Sequence, residues 1–226
     1  MEIKAFISYS SKDKKQGAAV KAALNEINIE SFLAHDDVRV SEEWKKRILA
    51  ELKECELFVP LLSEAFKASE WCGQEIGVVV ERGNDVLIIP LSIDRTVPYG
   101  FISHVQCHHV PPAGIDPQPI LDAVGRKWPS FVIEVLLKKV EGASTFRRAE
   151  ELIEPLVPHF GQLTKQQASR LAQMAIDNGQ IWGAKLCHEK YLPLFLKLNR
   201  KKISPSQYQA LMYQIENQSW YKVKQA

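Results

Sequence analysis

A chain of 226 residues, 46% hydrophobic and 25% charged, has room for one large domain or two modest ones, with a sizeable core either way. A formal net charge of +2 gives no reason to expect nucleic acid or an anionic membrane as a partner, and the basic run KLNRKK at 197–202 is assigned to a solvated helix end. Four scattered cysteines without a CxxC, an N-terminus (MEIKAF) without the makings of a signal peptide, and apolar runs too short to span a bilayer lead to the expectation of a cytoplasmic protein with reduced thiols.

Ile3 to Tyr9 reads as a buried strand, and Asp13 is placed to cap the helix after it, where Ala18, Ala19, Ala22, Ala23 and Leu24 form an apolar stripe. Ser31 to Ala34 is a second strand. The polar loop HDDVRVSEEW then leads to a helix from about Glu42 to Lys53, with Ser41 as cap and Trp44, Ile48 and Leu52 on one face. Leu57 to Leu62 is apolar throughout, as suits a parallel strand buried on both faces. A turn at 63–66 precedes the helix in ASEWCGQEIGVVVERG, stopped by Gly83 and Asn84. Val86 to Ile93 is a fourth strand and Gln106 to Val110 a short edge strand. His108 and His109 fall on that strand and point to opposite faces, so they are not expected to share a metal ion. Asp116 caps a helix through about Gly125.

Strands alternating with helices of about a dozen residues predict a doubly wound α/β unit over residues 1–128. Ligands of such sheets gather beyond the carboxyl ends of the strands, which draws the hydroxyls after the first strand, the HDD loop and the start of the WCGQE helix to one crevice. After Trp128-Pro129 the strand pattern ends. Phe146, Ala149, Leu152, Ile153, Leu156, Val157 and Phe160 recur at helical spacing. Thr164 caps a further helix, Pro193 interrupts a segment from Trp182 to Leu198, and Ser204-Pro205 opens a last helix. Residues 129–226 therefore form an all-α domain, with a regulatory or assembly role expected. Its Trp182, Trp220 and Tyr221 show no spacing that selects a ligand.

The crevice lacks the usual phosphate devices. There is no GxxxxGK(S/T) and no GxG, so neither a P-loop nor a dinucleotide fingerprint is present. The strand ends carry Ser8-Tyr9-Ser10 and Leu62-Ser63 where a phosphoacceptor receiver would carry acids, and there is no GxSxG elbow.

Three separated segments in order, AFISYSSKD, SFLAHDDVRVSEEW and SEAFKASEWCGQEI, together resemble the Toll/interleukin receptor (TIR) domain over roughly residues 1 to 128. The resemblance implies a flavodoxin-like, five-stranded parallel sheet and one of two functions. Some TIR domains are protein-interaction modules; many in bacteria and plants are NAD⁺ glycohydrolases or cyclases. The family's catalytic glutamate lies four residues beyond a Trp in the helix after the third strand, which carries over to Glu75 after Trp71. The loop at about His35 to Trp44 matches the family's nucleotide-flanking loop but lacks its usual Gly or Pro. The resemblance further implies NAD⁺ as substrate with no separate cofactor or metal, self-association, and a setting such as antiphage immunity.

A lone carboxylate suits that chemistry. Nicotinamide leaves as a neutral ring from a cationic precursor, so no general acid is needed, unlike the pair required by an ordinary glycoside. What remains is stabilisation of positive charge on the ribose and anchoring of its hydroxyls. The small hydroxyl run Ser8-Tyr9-Ser10-Ser11 leaves room for ribose or pyrophosphate and offers donors, with Tyr9, Ser10 and Ser11 as candidate substrate contacts and Lys12 and the helix N-terminus near phosphate. Asp36, with Asp37, could bond ribose or fix an Asx turn. Trp44 and Trp71 are candidates for stacking or for seating their helices. For Glu75 the competing assignment is a surface carboxylate near a helix start. Cys72 is expected to be inert, and Arg39 and Arg82 solvated. Two rival functions remain at this stage, a non-catalytic TIR adaptor and a deoxyribosyltransferase-like enzyme.

Overall fold

Alternation along KAFIS decides the first strand. β1 (Lys4–Ser8) sends Phe6 and Ser8 to one face and Ala5 and Ile7 to the other. In the computed structural model, which describes residues 2–34, 44–111 and 114–217, β1 lies between β2 (Glu30–Leu33) and β3 (Leu57–Leu62), parallel to both. The chain divides into two compact units, Met1–Lys127 and Trp128–Ala226.

The fourth strand of the sequence reading is broken into β4 (Leu87–Ile88) and β5 (Leu91–Ser92). Both pair with β3 in one unshifted register, Leu57 with Leu87 and Leu61 with Leu91, so Pro60 stands opposite Pro90. Proline has no N–H to give a ladder, and the break falls where the two prolines meet. With β6 (His108–His109) on β5, the order is β2-β1-β3-β5-β6, all parallel: six segments in five positions, the flavodoxin-like winding. Its switch point lies between β1 and β3.

The helices explain themselves locally. α1 (Lys14–Glu26) follows a 3₁₀ turn at Ser11–Asp13 and packs closely on β1 through Gly17. A Cβ there would sit 3.2 Å from the Tyr9 ring and 3.3 Å from Leu33. The expected Asp13 cap is not made: Asp13 Oδ2 instead accepts a hydrogen bond from Ser63 Oγ at 2.6 Å, tying the ends of β1 and β3 together, while Ser10 caps the 3₁₀ turn. α2 (Trp44–Glu54) buries Ile48 and Leu52. Ser63 caps the short α3 (Glu64–Lys67) and Ser69 caps α4 (Glu70–Glu81), which ends at Gly83 with φ +57°, a conformation glycine adopts without strain. Phe6, Phe32, Phe58, Leu62, Ile48, Leu52 and Ile76 form the core on the α2–α4 face, with Phe6 at 5.5 Å from Phe32 and 5.9 Å from Phe58. α5 (Gln118–Lys127) starts where Asp116 Oδ1 accepts from the Gln118 N–H, 2.9 Å away.

The second unit is all helix, and its central element escaped the sequence reading. α6 (Pro129–Val140) is mostly buried and exposes only a thin strip through Ser130, Glu134 and Lys138, a weak sign of a helix face. α7 (Phe146–Ile153) carries the expected stripe, except that Phe146 is exposed. Beyond it Pro155 and Pro158 turn the chain into a 3₁₀ stretch, Glu154–Gln162. α8 (Lys165–Asp177) and α11 (Pro205–Glu216) each start with a complete capping box, Thr164 with Gln167 and Ser204 with Gln207. Between them come α9 (Gly179–Trp182), a π turn at Cys187–Tyr191 and α10 (Leu192–Asn199). Pro193 cannot continue the α ladder, and the π turn sits just before it. Among the described residues no helix is long and apolar enough to cross a membrane.

Candidate active site

Glu75 is not a surface carboxylate. It lies in the middle of α4, is 4% exposed, and its Oε2 accepts a hydrogen bond from Ser8 Oγ, at the carboxyl end of β1. Burial pushes its pKa from 4.5 up to about 7, with the Ser8 hydrogen bond pulling partly the other way. No cation among the described residues contributes to that balance. A lone acid sequestered at a sheet's switch point, with no positive partner, leaves a site whose electrostatic demand is for a cation.

The neighbouring groups stay protonated. Cys72, 1% exposed, is pushed up to about 11 by burial, against the opposing pull of hydrogen bonds with Ser69 and Ser8. Beyond it Tyr99, in the connection after β5, is also raised by burial and by proximity to Cys72, and its hydroxyl is buried without a hydrogen-bond partner among the described residues. Glu75 is therefore the group of this cluster that changes charge near neutral pH.

One turn before Glu75 on the same helix, Trp71 meets Trp44 edge to face, with ring centroids 4.5 Å apart at 65°. The rings are 40% and 43% exposed, so the pair is both a contact between α4 and α2 and a wet aromatic surface. At the other end of the same two helices, Arg82 is not solvated as expected. Its Nη1 donates to the Leu52 and Cys55 carbonyl oxygens at 2.6 and 2.8 Å, which the end of α2 leaves unpaired. Residues 5–114, the stretch that holds all of these groups, match the family model of the TIR domain. The chain carries a TIR domain. A search among curated proteins found no match.

Within the TIR domain the candidate residues of the sequence fall into three sets. Glu75, Trp71 and Trp44 are brought together on α4 and the start of α2. Tyr9, Ser10 and Ser11 are adjacent in sequence but not in role. Tyr9 is fully buried with its ring against Gly17 of α1, on the opposite side of the strand from Ser8. Ser10 accepts from the Lys12 N–H at 3.4 Å as the cap of the 3₁₀ turn, and Ser11 is exposed. Asp36, with Asp37, Arg39 and Ser41, lies outside the described residues.

Sequence reasoning includes Ser8 in the hydroxyl run but does not single it out as a site residue. Its signal was present in the strand's alternation: Ser8 shares parity with Phe6, whose face is the α2–α4 core, whereas Tyr9 shares parity with Ile7. The hydroxyl run drew notice as a group, when period two singles out one member of it. His109 makes a structural contact, its Nδ1 lying 3.0 Å from the Ser92 carbonyl oxygen.

Proposed function

We propose that this TIR domain cleaves the nicotinamide–ribose bond of NAD⁺, with Glu75 as the catalytic carboxylate. The observation that carries the reading is the placement of Glu75: an uncompensated acid, buried at the carboxyl end of β1 beside a pair of exposed indoles. In hydrolysis the C1′–N1 bond breaks and its electron pair goes to the nicotinamide nitrogen, making a neutral leaving group. Water adds to C1′ and releases a proton, giving ADP-ribose. If a substrate atom arrives in place of water, the product is a cyclic isomer. The carboxylate faces the charge that builds on C1′ and O4′, and in a dry site that interaction counts for far more than in water. A cationic substrate also draws Glu75 towards its ionised form, so binding and activation of the acid are the same event.

The test is release of nicotinamide from NAD⁺ by the purified chain, read by mass to identify the second product, at high protein concentration and with crowding agent because TIR domains commonly self-associate. Glu75→Gln keeps shape and loses the charge. It should lose about a hundred- to a thousandfold in kcat, the size of effect expected when a stabilising group is removed. Wild-type kcat/KM should fall about tenfold per pH unit below about 7, as Glu75 takes up its proton. Turnover by Glu75→Gln equal to wild type removes this assignment.

A second reading, a non-catalytic adaptor, is favoured by the exposure of Val97 and Phe101 in the same domain, which suits a docking surface. It is the reading that stands if no nicotinamide is released under any assembled condition.

A further inference from the structure

We propose that Ser8 is the positioning residue of this site: its hydroxyl fixes Oε2 of Glu75 and thereby reserves Oε1 for the ribose of the substrate. The inference rests on the NAD⁺-cleaving reading and adds to it the residue that aims the acid.

The argument begins with the strand. Ser8 is the last residue of β1, opposite Pro60 of β3 in the ladder, and the only hydroxyl-bearing side chain of KAFIS. Its parity directs it to the α4 face, where every other side chain of the core is apolar or a thiol. A hydroxyl there costs free energy unless bonded, and the partner it finds is Glu75, 67 residues away in sequence. The backbone of a central parallel strand is among the least movable parts of a fold, so an oxygen held from β1 is held against the frame of the molecule. A glutamate has three side-chain torsions. Pinning Oε2 from a strand while α4 fixes the Cα leaves little freedom for the remaining oxygen.

That remaining oxygen, Oε1, has no hydrogen-bond partner among the described residues. An ionised carboxylate accepts at both oxygens, so a site that bonds one and leaves the other is built to receive a donor. The ribose hydroxyls of the substrate are such donors. The Ser8 hydroxyl also favours the charged form of Glu75, in opposition to burial. The nearby titratable groups, Cys72 on α4 and Tyr99 in the connection after β5, keep their protons at neutral pH, and no charged side chain of α2 or α3 contributes to the balance at Glu75. Ser8 is thus the one group that offsets the cost of ionising the acid.

Two variants and two readouts test this on the 226-residue chain. Ser8→Ala removes the donor, and Ser8→Thr restores it. Ser8→Ala should lower kcat about ten- to a hundredfold, the range for a hydrogen bond to a charged group, with KM for NAD⁺ nearly unchanged and the acid limb of the pH–rate profile displaced to higher pH. Ser8→Thr should recover most of the loss. Independently of turnover, the Glu75 carboxyl is titrated by isotope-edited infrared spectroscopy, with Glu75→Gln to identify the band; it should ionise at higher pH in Ser8→Ala than in wild type. Wild-type kcat in Ser8→Ala, or an unmoved carboxyl titration, overturns the proposal. A wild-type chain with no NAD⁺ cleavage at all overturns the parent reading instead, and the titration then decides by itself whether Ser8 governs Glu75.

Discussion

Replacing Glu75 by glutamine should make the TIR domain more stable, by an amount that grows from about pH 4.5 and levels off above about 7. The carboxyl has a pKa of about 7 when folded, because of burial first and despite the Ser8 hydrogen bond, against 4.5 in the unfolded chain. A group raised in this way binds its proton more tightly in the folded state. Its contribution to stability is therefore whole below about 4.5 and is lost as pH climbs through about 7. At about 1.4 kcal/mol per pKa unit, the gap corresponds to a cost of about 3 kcal/mol at pH 8.5, borne by the wild type and absent from Glu75→Gln. The amide can keep the Ser8 contact, so shape and packing change little. Because the chain has two units, the assay must read this one alone. Peptide-resolved hydrogen exchange over β1 and β3 does so, comparing the two proteins at equal pH so that intrinsic rates cancel. Exchange by opening of the sheet should be about a hundredfold slower in Glu75→Gln at pH 8.5, and nearly equal in the two at pH 4.5. A ratio that is the same at both pH values would falsify the claim that Glu75 is buried at the cost of its charge.

Two further outcomes follow from buried groups. Arg82→Ala strands the Cys55 carbonyl oxygen and leaves that of Leu52 with the Cys55 thiol alone, and peptide-resolved hydrogen exchange over α2 and α4 should show a loss of about 1.5–3 kcal/mol, with Arg82→Lys intermediate because an ammonium on a differently shaped stem reaches the two oxygens less well. Among the thiols, burial raises Cys55 and Cys72 to about 11 and Cys187 to about 12, whereas Cys107 is only half-buried. Iodoacetamide on the native protein should alkylate Cys107 first by a wide margin, as mass spectrometry of peptides would show, and early labelling of Cys72 would contradict its enclosure.

What the sequence made legible was whatever leaves a periodic trace. LFVPLL announced a doubly buried strand, Thr164 and Ser204 announced their helices through capping chemistry, and Gly83 announced the end of α4. The losses have equally local causes. α6 shows only a thin polar strip, Ser130, Glu134 and Lys138, along an otherwise apolar helix. The split between β4 and β5 depends on Pro60 meeting Pro90, a coincidence between strands that only the register reveals. Asp13 follows the rule for a helix cap but is taken by Ser63, 50 residues away. Arg82 looks like any charged residue after a helix until the end of another helix is brought beside it. In the site, Glu75 was found through family resemblance, since spacing alone fits a surface carboxylate; its burial is information that only three dimensions contain.

α2 and α4 are joined at both ends, but by unlike fastenings. At one end a guanidinium nitrogen donates to two backbone oxygens; at the other, two indole rings merely lean on each other, half in water. Eleven residues of α2 make a rod about 16 Å long, so a rotation of ten degrees about the gripped end shifts the tip by about 3 Å. Between the two ends Ile48 and Leu52 of α2 share a buried core with Ile76 of α4, so the aromatic end is the wet end of a packed pair. A flat aromatic guest at that end would meet a ring face already in water, and would compete with the other indole for it.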